Sequence, residues 1–523
     1  MLDSLPAHPR ESGDPGFFHA LAAIAPKNLG ARVRGDERGR GILCAVLSVL
    51  LLVAPASAQT VSAAQAADPL YRDGQAALKR ALTVKPNTRR AKNVILFIGD
   101  GMGLSTVVAS RIYEGQARGV DGESNSLAFE RLPHSALSKT YSVDTQVVDS
   151  AASATALMTG VKTRNRVVGL GGGVTPQVCA GEAANRLTTI AELARARGMA
   201  AGAVTTTTLT HATPAAVYAH SAFRDWEADF MMPAEAKAAG CVDIARQLVE
   251  APLSTRLNVA FGGGRNRFQS TAGGGRRADG LDLTRAWTAA PRSAYVASAD
   301  ALAALRPGQS DHVLGLFGPD HLPYEADRAT QGAGVPTLAQ MTTKAIDLLS
   351  TNRRGYFLMV EGGKIDHANH ANNAKRALTE TVAFSEAITA AVAKVDLRDT
   401  LVIVTADHSH GLVISGYAER NAPILGIAGD EGAPIKASDG KPYTTLSYAT
   451  GPGGPRGDEH RDDPSTLDLQ AVGTRQDATV HLPSSAHSGE DVPIYAGGPR
   501  AYLLDGVVEE SYVFHVMRYA LGL

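Results

Sequence analysis

Short runs of residues that are apolar on both faces recur along this chain, each followed by a stretch of helical periodicity, and that alternation leaves few architectures open. The runs are Asn93–Ile98, Ala201–Thr205, Leu257–Phe261, Tyr356–Val360 and Leu401–Thr405. A run with no polar face suits a central strand of a parallel sheet covered on both sides. Helical patterns lie between them, as over Leu187–Arg197 and Ala374–Val395. The reading is an α/β fold: a three-layer sandwich around a central, mostly parallel sheet, in which ligands gather beyond the carboxyl ends of the strands.

Two stretches interrupt the alternation. Residues 263–280, rich in Gly, Arg and Ser, read as a long surface loop. Residues 411–484 carry many Gly, Pro and Asp and read as an inserted, crown-like subdomain. That leaves 91–410 and 485–523 as the main domain, preceded by an N-terminal arm over 59–90, a polar helix running into a basic linker. Tyr512–Leu523 has the pattern of a short amphipathic helix.

Residues 1–58 read as a signal peptide with an upstream segment. Ile42–Ala54 is apolar but short for a bilayer span, basic residues precede it, and Ala56-Ser57-Ala58 follows as a small-x-small site, so cleavage is expected after Ala58. A membrane anchor is the alternative. The expected location is secreted or periplasmic. Of the three cysteines, Cys44 lies inside the apolar run; Cys179 and Cys241 remain, and an even pair in an exported chain reads as a disulfide, with two free thiols the alternative. Lys+Arg total 51 against Asp+Glu 52, a net charge of −1, which gives no electrostatic reason to expect nucleic acid or a membrane surface as partner.

Chemistry collects where the apolar runs end. Asp100 follows the first run between Gly99 and Gly101; a carboxylate there is a good ligand for a hard cation, or else the start of an Asx turn. Glu361 ends the fourth run, and Asp366 and His370, four residues apart, share one helix face and can grip one metal. Asp407 and His408 follow the fifth, and neutral imidazole is a good zinc ligand. His487 in Ala486–Asp491 is a fourth piece. Ser150, before a row of small helix-favouring residues, opens a helix whose first N–H groups would welcome phosphate; it is a nucleophile candidate, or merely an N-cap.

Taken together, Asn93–Gly103, Val148–Gly160, Thr205–Trp226, Phe357–His370, Leu401–His410 and His487–Asp491 resemble the alkaline phosphatase family, in the family's order and in wording nearer its animal branch. The resemblance implies phosphate monoester hydrolysis through a phosphoserine at Ser150, two zinc ions and one magnesium per subunit, and a homodimer. It assigns Asp366, His370 and His487 to the first zinc, and Asp100, Asp407 and His408 to the second. Magnesium falls to Asp100, Thr213 and Glu361. Arg224 would fork onto two phosphate oxygens, oriented by Asp149. His211 and His367 stand where enterobacterial members have an acid and a lysine, which leaves zinc or cobalt as alternatives at the third site. Cys179 and Cys241 match a disulfide of the animal enzymes, and Tyr417 a tyrosine that reaches the neighbouring subunit's site. An acidic residue of the animal calcium site aligns with Gly318, so the calcium site is expected to be absent.

Overall fold

The computed structural model describes residues 61–523. The signal segment expected over 1–58 lies outside the described residues. The described residues divide into two units at Asp73 and Gly74. Ala63–Ala67 forms a helix capped by Ser62 and Gln65, and Pro69–Thr83 forms another. The second unit carries a ten-stranded sheet.

Its strands, in chain order, are β1 (Asn93–Gly99), β2 (His134–Lys139), β3 (Ala200–Thr208), β4 (Val259–Gly263), β5 (Ser293–Val296), β6 (His312–Leu316), β7 (Tyr356–Gly362), β8 (Thr400–Ala406), β9 (Val492–Gly497) and β10 (Gly506–Glu509). Their spatial order is β10-β2-β9-β8-β1-β7-β3-β4-β6-β5. Only β9 runs antiparallel to its neighbours, β8 and β2. All five apolar runs form strands of this sheet, the third beginning two residues later than expected, at Val259. Along β1 the side chains alternate between two buried layers: Val94, Leu96 and Ile98 face one, Ile95 and Phe97 the other. The period of two with both faces apolar is what covering helices on each side require.

The Ala374–Lys394 helix supplies one cover. Ala377, Leu378, Thr381, Phe384, Ile388 and Ala391 are its buried stripe, and the Asn373 side chain caps it by accepting from Arg376 N–H. The Tyr512–Leu521 helix expected at the C-terminus helps to cover the other face. Within 411–484 the chain makes a small sheet of Leu412–Ile414, Leu446–Gly451 and Ala478–His481, whose apolar residues pack on Ala109, Ile112, Ala374 and Leu378.

The 263–280 stretch is in part the surface loop its composition suggested: Thr271–Gly274, Arg276 and Ala278–Gly280 are exposed. Arg265–Phe268 is a helical turn, and the Arg277 side chain is fully buried, paired with Asp243 at 2.9 Å and Asp279 at 2.5 Å. Arg267 and Arg277 are thus interior residues, each held by an acid distant in sequence, Glu227 and Asp243.

Candidate active site

Register builds the site. Ile98 of β1 lies beside Glu361 of β7 and Thr405 of β8, and Thr205 of β3 lies beside Glu361. The carboxyl ends of four adjacent strands therefore finish level, and the next residues of each chain segment meet: Asp100 after β1, the Thr205–Thr213 stretch at the end of β3, Glu361 to His370 from β7, and Asp407–His410 after β8. Gly101 has φ +67°, and a Cβ there would meet His410 and Asp366 within 3.2 Å, so only glycine lets the chain turn under these side chains.

Ser150 begins a wholly buried helix that ends at Thr159, its ten residues small enough to pack without a polar face. Asp149 is its N-cap, one oxygen accepting from Ala152 N–H at 3.1 Å and Arg166 N–H at 3.0 Å. The other oxygen accepts from Arg224 Nη1 at 3.0 Å. Arg224 Nη2 donates to His211 Nε2 at 3.1 Å. Ser150 Oγ lies 3.1 Å from His408 Nε2 and 3.5 Å from Asp100 Oδ1. A hydroxyl, an arginine fork and a helix start thus converge, the arrangement that binds and attacks a phosphoryl group.

The imidazoles around Asp366 have their tautomers fixed by carbonyls. His370 Nδ1 faces Ser485 O at 2.6 Å, His487 Nδ1 faces Val148 O at 2.9 Å and His408 Nδ1 faces Ser409 O at 3.3 Å. A carbonyl only accepts, so each Nδ1 carries a hydrogen, which leaves Nε2 as the atom each ring can offer a metal. Burial pushes the pKa of His408 down to about 3 and that of His487 well below its usual value, so both rings are neutral. Yet His370 Nε2 and His487 Nε2 stand 3.3 Å apart, and Asp366 oxygens lie 3.3 Å and 3.7 Å from them. Two Nε2 atoms and a carboxylate aimed at one point repel one another unless a cation sits between them, and N/O donors of this kind suit zinc.

The neighbouring carboxylates tell the same story. Asp100 Oδ2, Asp407 Oδ2, Glu361 Oε1 and Thr213 Oγ1 are buried with no hydrogen-bond partner. Burial, with the adjacent charges of Asp407 and Asp366, raises the Asp100 pKa well above the carboxylate range. Burial likewise pushes Asp407 up to about 6, and Glu361 up to about 7 despite hydrogen bonds from Thr205 and Thr207. Carboxylates so placed ionise readily only beside a strong positive charge. Asp100, Asp407 and His408 form one group with donor atoms within 4.8 Å of one another, and Asp100, His211 and Glu361 another. Every ligand named from the sequence is thus brought to the strand ends. Cys179 and Cys241 form a disulfide, Cα–Cα 5.7 Å, beside Trp226 and Met232 and outside these clusters.

Sequence reasoning left out four contributors. His410 Nε2 lies 2.5 Å from Asp366 Oδ1, with its ring fully buried; it closes the Thr405–His410 motif and was visible there. Thr205 and Thr207 donate to Glu361 from the end of β3. His321 packs edge-on to His367 at 4.5 Å and to His211 at 5.7 Å between ring centres, and its Nδ1 accepts from Thr208 N–H. Only its place just after β6, a strand the sequence reading did not name, would have signalled it.

The family model for alkaline phosphatase matches residues 91–523. Over 472 residues the chain is 42% identical to the tissue-nonspecific alkaline phosphatase of Gallus gallus, spanning 87% of this chain and 89% of that one. It is 41% identical over 461 residues to the alkaline phosphatase of Gadus morhua, spanning 85% and 95%. The solved alkaline phosphatase of Thermus thermophilus superposes with a TM-score of 0.61 at 27% identity, over 84% of this chain and 93% of that one. With strand ends, ligand clusters and a match from Ala91 to the last residue in agreement, the chain belongs to the alkaline phosphatase family, metal-dependent hydrolases of phosphate monoesters.

Proposed function

We propose that the enzyme cleaves phosphate monoesters through a phosphoserine at Ser150. The observation that carries the reading is Ser150 Oγ at a helix start, within 3.5 Å of both Asp100 and His408 and beside the Asp149–Arg224 pair. Ser150 Oγ attacks phosphorus and the alcohol leaves on the opposite side; water then attacks the phosphoserine and phosphate leaves. Arg224 grips two terminal oxygens as a fork, and Asp149 and His211 fix its plane. The first N–H groups of the 150–159 helix take up equatorial charge. Asp366, His370 and His487 would hold a first zinc, Asp100, Asp407 and His408 a second, and Asp100, Thr213 and Glu361 a magnesium. Bound there, the ions supply Lewis-acid stabilisation of the alkoxides and a lowered pKa for water.

His211 and His367 bear on the third ion. A related solved alkaline phosphatase from TAB5, 25% identical, is described with magnesium in its M3 site when a histidine is replaced by aspartate. Calcium is left out of the reading. Beside Phe317 the chain has Gly318, Asp320 is paired with Arg267 at 2.8 Å, and the Lys364 ammonium lies 3.8 Å over the Tyr324 ring. Added calcium should leave the melting temperature unchanged.

The reading extends to export after cleavage at Ala58, which the Cys179–Cys241 disulfide supports. Among the described residues no helix is long and apolar enough to cross a membrane. It includes a homodimer in which Tyr417, 80% exposed, meets the neighbouring subunit. The arm is 59–90, the catalytic domain 91–410 with 485–523, and the inserted subdomain 411–484. The deciding experiment is a metal-replete Ser150→Ala protein assayed on a chromogenic monoester. Loss of turnover is expected, with retained configuration at phosphorus in the parent; turnover at the parent's rate would end this reading.

A further inference from the structure

We propose that Arg267 is a positioning residue for the phosphate-binding arginine and acts through Glu227; the inference rests on the reading of Arg224 given above. Arg267 comes from the 263–280 segment and touches no group at the metal clusters. Its Nε donates to Glu227 Oε2 at 3.0 Å, and its Nη1 lies 2.8 Å from Asp320 Oδ1. Both Arg267 and Glu227 are buried. Glu227 Oε2 also accepts from Thr208 Oγ1 at 2.7 Å and Thr210 Oγ1 at 2.5 Å.

These bonds join the two turns that matter. Thr210 precedes His211, whose Nε2 accepts from Arg224. Glu227 stands three residues after Arg224, in the bend that follows its turn. One carboxylate therefore fastens the backbone carrying His211 to the backbone carrying Arg224, and so sets where the fork points. Asp320 extends the tie to His321, which packs against His211.

Burying a carboxylate with hydroxyl donors alone is costly, and the guanidinium beside it offsets that cost. The segment bearing Arg267 is itself anchored next to the same turn. Arg277 donates to the Arg267 carbonyl and to Asp243, each at 3.0 Å. Asp229, two residues beyond Glu227, accepts from the N–H groups of Ala278 and Asp279 at 2.8 Å and 2.9 Å. Arg267 thus works as an internal cation that holds the phosphate clamp from behind.

The test uses the metal-replete protein with 4-nitrophenyl phosphate, bis(4-nitrophenyl) phosphate and inorganic phosphate. A monoester offers the Arg224 fork two free oxygens beyond the one on the metal side, and a diester one fewer. Misplacing the fork therefore lowers monoester turnover selectively, which general destabilisation does not. Arg267→Met should cut monoester kcat/KM and weaken phosphate inhibition by about 10-fold to 100-fold, with diester kcat/KM far less affected. Glu227→Leu/Arg267→Met removes both charges, so no unpaired ion is left in the interior; it should melt cooperatively, keep its metals and show the same lost preference. A folded variant with the parent's monoester-to-diester ratio and phosphate inhibition overturns the proposal, as does an equal fall in both activities. Arg224→Ala is the control. If it leaves the ratio unchanged, the Arg224 reading itself fails, and if it alone lowers the ratio, only the role of Arg267 fails.

Discussion

Replacing His410 by alanine removes one hydrogen bond to a carboxylate and no group placed against substrate, so its cost can be worked out in advance. Burial lowers the His410 pKa, so the ring is neutral; its Nδ1 has no partner and its Nε2 lies 2.5 Å from Asp366 Oδ1. The other oxygen, Oδ2, points at His370. His410 thus fixes Asp366 by the oxygen that also lies 3.7 Å from His487, and so sets where the whole carboxylate faces the first cluster. A hydrogen bond to a charged group contributes about 1.5–3 kcal/mol. Outer partners of metal ligands typically change affinity by about 10-fold to 100-fold, which corresponds to about 1.4–2.8 kcal/mol. The two routes agree, so His410→Ala should weaken zinc at one site by that factor. Zinc titration of activity against a competing chelator, with metal analysis, measures it. Activity at limiting zinc should fall and excess zinc should restore it. Unchanged zinc affinity together with a lower kcat would refute the argument, because His410 would then act on the reaction rather than on the ligand.

Three further outcomes follow from the geometry. The disulfide joins cysteines 62 residues apart, a loop whose closure is worth about 4 kcal/mol in the unfolded chain; the Cys179→Ala/Cys241→Ala protein should lose up to that much in denaturant melts, and an unshifted midpoint would contradict it. In the metal-free protein Asp407 and Glu361 titrate near about 6 and about 7, above their unfolded values. At these two groups the native state holds more protons than the unfolded one between about pH 4 and 7, whereas the neutral His408 and His487 hold fewer; the metal-free melting temperature of the parent relative to Glu361→Gln should therefore fall as pH rises through that window, while the metal-replete pair should lack this fall. His211→Asp gives the third cluster another oxygen donor, and magnesium prefers oxygen; the magnesium concentration for half-maximal activity should drop, and a rise would count against a role for His211 beside that site.

How much of this was legible depended on whether the information was local. β1, β7 and β8 could be read because both of their faces are apolar and their ligands follow at once. β2 (HSALSK) and β5 (SAYV) escaped because half-exposed flanking strands carry no such run. The Thr189 and Glu192 capping box starts its helix at Ile190, inside the stretch expected from Leu187. In the 263–280 stretch the two buried arginines escaped because composition cannot report a partner: Arg277 finds Asp243, 34 positions earlier, and Arg267 finds Glu227, 40 positions earlier. His321 stood in no motif for the same reason.

The candidate metal ligands were readable, and the frame that aims them was not, and this has a physical cause. Nε2 atoms 3.3 Å apart and carboxylates with raised pKa values oppose folding on their own. Such a cluster survives without its ions only if the surrounding chain fixes it independently. Strand register does so for Asp100, Glu361 and Asp407, because Ile98, Glu361 and Thr405 are held level by ladder bonds on both sides. Arg224 and His211 have no such ladder; they ride on turns, and turns take their geometry from side-chain ties such as Glu227 to Thr208, Thr210 and Arg267. Metal binding should therefore tolerate changes in the 263–280 segment, whereas phosphate recognition should not.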